Sequence, residues 1–121
     1  MIYRNGKVSD VQIAYIGGGS RGWAWTFMTD LALEKDMSGN IRLYDLNEKA
    51  AKANEEIGNR VSEREEAVGK WKYETCTDME QALTGADFIV ISILPGSFDE
   101  MAVDVHTPER LGIYQSVGDT A

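Results

Sequence analysis

The sequence predicts an α/β protein with a Rossmann-like, doubly wound parallel sheet, of which the chain supplies the first four strands in the order βαβαβαβα. Three observations carry this prediction. Short β-branched runs alternate with helix-compatible stretches, a glycine-rich turn joins the first strand to the first helix, and an acidic residue ends the second strand. Because right-handed crossovers join parallel strands through helices, the alternation places helices on both faces of the sheet.

The first strand and helix are marked by a change of period. Residues 11–16 form a β-branched run that ends in glycines, which is typical of a buried strand. The pattern then predicts a helix over about residues 22–35. Its apolar residues recur every four positions, at Trp23, Phe27 and Leu31.

A second strand is predicted at residues 41–44, after a turn at residues 38–40. Asn47 can cap the long helix that follows, because its side chain can accept a hydrogen bond from a free N–H of the first turn. The expected inward-facing stripe of this helix is Ala50, Ala53, Ile57 and Val61.

The third strand, at residues 71–75, is shorter and less apolar. Thr77 and Glu80 have the spacing of a capping box, so a short helix should begin there and end at Gly85.

The fourth strand is predicted at residues 86–94. Ser97 and Glu100 repeat the capping-box spacing for a last helix, which Pro108 should interrupt or kink.

Size and charge exclude several classes of protein. A chain of 121 residues, 43% hydrophobic, has room for one core and excludes two full domains. The net charge of 12 − 20 = −8 disfavours nucleic acid and anionic membranes as partners and favours a small molecule or a protein. A single cysteine, no secretion signal and no apolar run of membrane-crossing length predict a cytoplasmic protein.

Residues 17–22 satisfy G-x-G-x-x-G between the first strand and the first helix, the pattern of a loop that binds a dinucleotide pyrophosphate. Gly17 allows the tight turn, Gly19 lets the pyrophosphate approach the backbone, and Gly22 lets helix and strand pack closely. The helix N-terminus then faces the phosphates. Ser20 could add a hydroxyl donor and Arg21 a cation.

Asp45 follows Gly22 by 23 residues and ends the second strand. A carboxylate there can accept hydrogen bonds from both ribose hydroxyls of an adenosine and would repel a 2′-phosphate, so NAD is favoured over NADP. A methyltransferase is the main competing interpretation, but its usual G-x-G-x-G loop would need glycine at Arg21. A glycine-rich turn that binds no ligand stays open.

Leu94, Pro95 and Gly96 follow the fourth strand, where doubly wound folds place a second ligand-contacting loop at the topological switch point. We expect them to contact the cofactor. The alternative is an ordinary connection that leads into a capped helix.

Four segments together, at residues 13–23, 43–46, 91–96 and 112–120, resemble the start of glycoside hydrolase family 4, and within it the α-galacturonidase type. The glycine loop is shared with many dehydrogenases, whereas the closing Tyr-Gln-Ser-Val-Gly-Asp-Thr is more specific. The resemblance covers nearly the whole chain.

The resemblance implies a redox mechanism for hydrolysis, unlike that of glycosidases with two carboxylates. NAD⁺ takes hydride from C3 of the sugar and a tyrosine base removes the C2 proton. A divalent metal, commonly Mn²⁺, stabilises the enediolate. The glycosidic oxygen leaves, water adds, and the hydride returns. The full-length enzyme should also be a homo-oligomer.

The resemblance further implies that the catalytic tyrosine and the metal ligands, a cysteine and a histidine, follow residue 121, so that this chain holds no catalytic or metal residue. Residues 1–121 would be an incomplete NAD-binding domain without the substrate domain. Cys76 and His106 do not match the ligand positions and are expected to be structural. Gln115 and Asp119 are the candidate substrate contacts, with plain turn residues as the alternative.

Two rival functions stay open. A dehydrogenase of the lactate or malate type would share the cofactor half but release an oxidised product. A free-standing nucleotide-sensing module would be complete at residue 121, whereas the family interpretation expects truncation, since the fold normally continues for two more strands.

Overall fold

The computed structural model describes residues 1–116, which form one five-stranded sheet flanked by helices. The elements in chain order are β1 (Ile2–Arg4), β2 (Lys7–Ile16), α1 (Trp23–Leu33), β3 (Met37–Tyr44), α2 (Glu48–Ser62), β4 (Lys70–Thr75), α3 (Met79–Leu83), β5 (Phe88–Ile91), α4 (Phe98–His106) and a 3₁₀ turn (Pro108–Leu111). In residues 1–116 no helix is long and apolar enough to cross a membrane.

The predicted parallel strands are β2, β3, β4 and β5, and they lie in the order β4-β3-β2-β5. Counting only the parallel strands, this order is 3-2-1-4, the first four strands of the Rossmann order 3-2-1-4-5-6. The sequence pattern does not predict β1, a short additional strand that pairs antiparallel with the start of β2 and makes the five-stranded sheet mixed. Asn5 and Gly6 both have positive φ, at 51° and 77°, as a tight hairpin turn requires.

Several element boundaries differ from the predictions. β2 begins at Lys7 and not at residue 11, and β5 covers only Phe88–Ile91 of the predicted residues 86–94. β3 begins at Met37, so residues 38–40 are strand and not turn. Gly39 allows this, since a Cβ there would lie 2.0 Å from the Val11 carbonyl oxygen of the neighbouring strand. Asp78, and not Thr77, caps α3, accepting a hydrogen bond from the Glu80 N–H at 3.0 Å.

The last helix follows the sequence prediction. The Ser97 side chain and the Glu100 side chain form a capping box at the start of α4. The helix ends at His106, and the chain continues from Pro108 as a 3₁₀ turn. Pro108 interrupts the α-helix because proline has no backbone N–H to donate to the preceding turn.

Helices lie on both faces of the sheet, as predicted, but the second face is only partly covered, since Phe88, Ile89 and Ile91 of β5 are exposed. Ile41 and Leu43 of β3 are buried in the core with residues of α1 and α2. Between them Arg42 points to the other face, where its Nη1 donates to the carbonyls of Gln81 and Thr84 at the end of α3.

The buried faces of α1 and α2 are rotated from the predicted stripes. In α1 the Trp23 side chain is 75% exposed, while Ala24, Met28, Leu31 and Ala32 are buried. In α2 the buried residues are Ala51, Asn54 and Gly58. Small residues face the sheet because α2 packs tightly on β4. A Cβ at Gly58 would lie 2.6 Å from the Tyr73 ring.

Candidate functional site

A cleft of about 1310 Å³ opens at the carboxyl ends of β2, β3 and β5. Such a position, where the strand order reverses, is where open α/β sheets bind ligands. The volume exceeds the range of about 300–1,000 Å³ that suits drug-sized ligands, and so it can admit a dinucleotide. Predicted site residues that line it are Gly17, Gly19, Ser20, Asp45, Leu94, Pro95 and Gly96.

The glycine loop is held between two strands by its backbone. The N–H groups of Gly17 and Gly18 both donate to the Tyr44 carbonyl at the end of β3, at 2.8 and 2.9 Å. Gly17 has φ = +90°, and a Cβ there would lie 1.9 Å from the Ser92 carbonyl oxygen. The prediction that Gly17 makes the tight turn is confirmed.

Gly19 leaves no room for a side chain. A Cβ at this position would lie 2.8 Å from Ala50 Cβ and 2.9 Å from Asp45 Oδ2. The close-packing role predicted for Gly22 is wrong, because a Cβ there would have no heavy atom within 4 Å. Gly18 instead makes a close approach of the loop to β3, since its Cβ would lie 2.8 Å from Leu43 Cβ.

The N-terminus of α1 suits an anion. Gly22 is the N-cap and has no side chain to satisfy the first N–H groups, and the first turn lacks an acidic residue. The first intrahelical donor is Thr26, whose N–H bonds to the Gly22 carbonyl. The preceding N–H groups and the positive end of the helix dipole therefore fit a pyrophosphate. Arg21 is exposed but does not line the cleft.

Asp45 joins the loop to the end of β3. Its Oδ2 accepts from the Gly19 N–H and its Oδ1 from the Asn47 N–H, each at 2.8 Å. Each carboxylate oxygen keeps a second lone pair, so the side chain can still accept hydrogen bonds from hydroxyl groups of a ligand. The carboxylate lines the cleft, as its proposed ribose-binding role requires.

Asn54 was missed by sequence reasoning. The side chain is only 3% exposed, and its Nδ2 donates to the carbonyls of Gly18 and Ser20 at 2.7 and 2.9 Å. Its Oδ1 accepts from Trp25 Nε1 at 2.8 Å. The available signal was a neutral amide three residues from Ala51 on a helix rich in charged residues, and periodicity alone does not distinguish such an amide from a solvent-facing residue.

The second loop faces the first across the cleft. Gly96 has φ = +97°, which permits the turn from Pro95 into α4. The Ser97 N–H donates to Glu100 Oε2 at 2.6 Å and holds the pKa of that carboxyl below its usual value. The capping box thus fixes where the loop ends.

The remaining singled-out residues lie elsewhere. Cys76 is buried, and burial raises the pKa of its thiol, as a packing residue would show. His106 is exposed, with Nδ1 3.1 Å from Glu109 Oε2. Gln115 is half-buried and does not line the cleft, and Asp119 lies outside the described residues. Within residues 1–116 no three His, Cys, Asp or Glu side chains form a metal-binding group.

The strand order, the helices on both faces and the glycine-rich cleft define a Rossmann-like α/β protein. Within that class the chain belongs to family 4 of the glycosyl hydrolases, whose family model matches residues 12–121.

Known relatives extend well beyond the matched region. An α-galacturonidase of Lachnoclostridium phytofermentans is 74% identical over 121 residues, which are the whole chain but 26% of that protein. The crystal structure of lplD from Bacillus subtilis has a TM-score of 0.76 and 54% identity, over 93% of this chain and 25% of that one. The chain therefore spans about a quarter of the length of the relatives it matches.

A more distant structure shares the fold alone. The 6-phospho-β-glucosidase of Thermotoga maritima has a TM-score of 0.62 at 21% identity, over 89% of this chain and 26% of that one. It was solved with manganese, NAD⁺ and glucose-6-phosphate.

Proposed function

We propose that this chain is the N-terminal NAD-binding part of a longer family 4 glycosidase that hydrolyses α-linked galacturonides. The observation that carries the proposal is the cleft, where the uncapped N-terminus of α1 and the Asp45 carboxylate lie on either side of Gly19. The 74% identity with an α-galacturonidase supports the substrate class.

The cleft residues have separate tasks in this proposal. Gly17 and Gly19 let the pyrophosphate approach the backbone, the Ser20 hydroxyl and the free N–H groups of the first turn of α1 donate to it, and the exposed Arg21 adds positive charge. Asp45 holds the adenosine ribose and disfavours a 2′-phosphate. Leu94, Pro95 and Gly96 enclose the other end of the dinucleotide. When bound, NAD supplies a hydride acceptor at the sugar, restored within each turnover.

The catalytic base and the metal site belong to the remainder of the longer protein. Gln115 and Asp119 are proposed to contact the sugar. Divalent metal, commonly Mn²⁺, a homo-oligomeric state and a cytoplasmic location stay predictions.

The test is turnover by the full-length polypeptide, freed of nucleotide, on an α-galacturonide in D₂O. We expect hydrolysis only with NAD⁺ and a divalent metal, one solvent deuterium at C2 of the released sugar, and no net NADH. Hydrolysis without NAD⁺ would contradict the proposal. Stoichiometric NADH with an oxidised sugar would instead support the dehydrogenase.

A further inference from the structure

We propose that Asn54, held by Trp25, is the positioning residue that sets the shape of the phosphate-binding loop. The inference rests on the proposed function, because it assigns a task toward the NAD pyrophosphate. Neither residue lines the cleft, so both act through the loop and not by contact with the ligand.

The hydrogen bonds of Asn54 fix two peptide planes of the loop. Its Nδ2 donates to the Gly18 carbonyl at 2.7 Å and to the Ser20 carbonyl at 2.9 Å. In a planar trans peptide the carbonyl and the following N–H point in opposite directions. Holding these carbonyls with Asn54 therefore points the N–H groups of Gly19 and Arg21 away from the Asn54 amide.

One of these directions is visible in the structure. The Gly19 N–H reaches Asp45 Oδ2 at 2.8 Å, on the opposite side of the peptide from Asn54. Asn54 and Asp45 thus hold the same peptide from its two ends. The hydrogen bond from Asn54 to the Ser20 carbonyl fixes the carbonyl end of the peptide that leads into α1.

Trp25 fixes which way the Asn54 amide faces. Its Nε1–H donates to Asn54 Oδ1 at 2.8 Å, so that the amide nitrogen must face the two loop carbonyls. Both donors of Asn54 are used and its acceptor is occupied. A buried amide whose two donors and oxygen are all hydrogen-bonded has one stable orientation, which is what a positioning residue needs.

The chain offers a matched control on the same helix. Asn59 Nδ2 donates to the Tyr73 carbonyl and Asn59 Oδ1 accepts from the Tyr73 N–H, each at 3.0 Å. It also fastens backbone to α2, but at β4 and not at the loop. A general loss of packing would make the Asn54 and Asn59 variants behave alike.

The experiment measures the affinity for NAD⁺ and for adenosine by calorimetry and competition, together with urea midpoints. The variants are Asn54→Ala, Asn54→Asp, Trp25→Phe and Asn59→Ala. We expect Asn54→Ala to weaken NAD⁺ about 10-fold or more, because two buried carbonyls lose their donor, and adenosine less than about 2-fold. Asn54→Asp should weaken NAD⁺ binding further than Asn54→Ala does, since a carboxylate would face both carbonyls. Trp25→Phe keeps both Asn54 donors and should weaken NAD⁺ binding about 3-fold.

Each outcome separates the two proposals. If the unaltered protein binds NAD⁺ and the Asn54 variants bind it as well as Asn59→Ala does, the positioning role is overturned and the proposed function stands. If the unaltered protein binds no NAD⁺, both fall. Should Asn54→Ala not fold, Trp25→Phe decides: full NAD⁺ affinity would overturn the inference.

Discussion

Replacing Gly19 with alanine should lower the free energy of unfolding clearly, whereas the same change at Gly22 should not. The new Cβ of Gly19→Ala would lie 2.8 Å from Ala50 Cβ and 2.9 Å from Asp45 Oδ2, and the Asp45 carboxylate is held in place by backbone N–H groups at both of its oxygens. Overpacking costs about 1–3 kcal/mol and loss of the charge-assisted bond from the Gly19 N–H costs about 1.5–3 kcal/mol, so together they should lower the free energy of unfolding by about 2.5–6 kcal/mol.

Gly22→Ala is the matched control in the same motif. Its Cβ would enter open space, and its φ of −82° and ψ of −70° are allowed for alanine. The preference of N-caps for glycine over alanine and the reduced entropy of the unfolded chain oppose each other, leaving a change within about 1 kcal/mol. Urea denaturation compares the free energies of unfolding. Equal losses for both variants, or a larger loss at Gly22, would refute the reasoning.

Two further substitutions test the core and the sheet edge. The Tyr73 hydroxyl is buried without a hydrogen-bond partner among residues 1–116, and this burial raises the pKa of Tyr73. Tyr73→Phe should therefore leave the urea midpoint equal or higher. A clear loss of stability would instead show that the hydroxyl has a partner. The Gln12 N–H, 2.8 Å from Asp87 Oδ2, holds the pKa of Asp87 below its usual value. This contribution should be complete above about pH 5 and fade as pH falls through the lowered pKa. Asp87→Asn should reduce the dependence of the free energy of unfolding on pH below about pH 5. An unchanged pH dependence would contradict the assignment.

Local signals account for the parts of the fold that the sequence predicts. Period and turn residues mark the four parallel strands, and the Ser97 capping box acts within four residues of chain. The position of Asp45 beside the glycine loop follows from topology, because parallel strands bring their carboxyl ends to one edge. These features depend on near neighbours or on general rules of connection.

The features that escaped prediction depend on contacts across the sheet. The inner face of α2 is set by Gly58 against the Tyr73 ring, which no helical period encodes. Gly18, and not Gly22, lies too close to its neighbour for a side chain. The distance of each glycine from β3 determines this, and its position in the motif does not. Asn54 is buried because its side chain bonds to the loop, whereas its polarity alone predicts a solvent-exposed position.

The central claim is that the cleft binds NAD, and calorimetric titration of the unaltered protein with NAD⁺ and NADP⁺ tests it most directly. We expect NAD⁺ to bind and NADP⁺ to bind at least about 100-fold more weakly, because the Asp45 carboxylate would face the 2′-phosphate. Asp45→Asn, which keeps one side-chain oxygen as an acceptor, should narrow that ratio. Absence of NAD⁺ binding, or equal affinity for both nucleotides, would contradict the account.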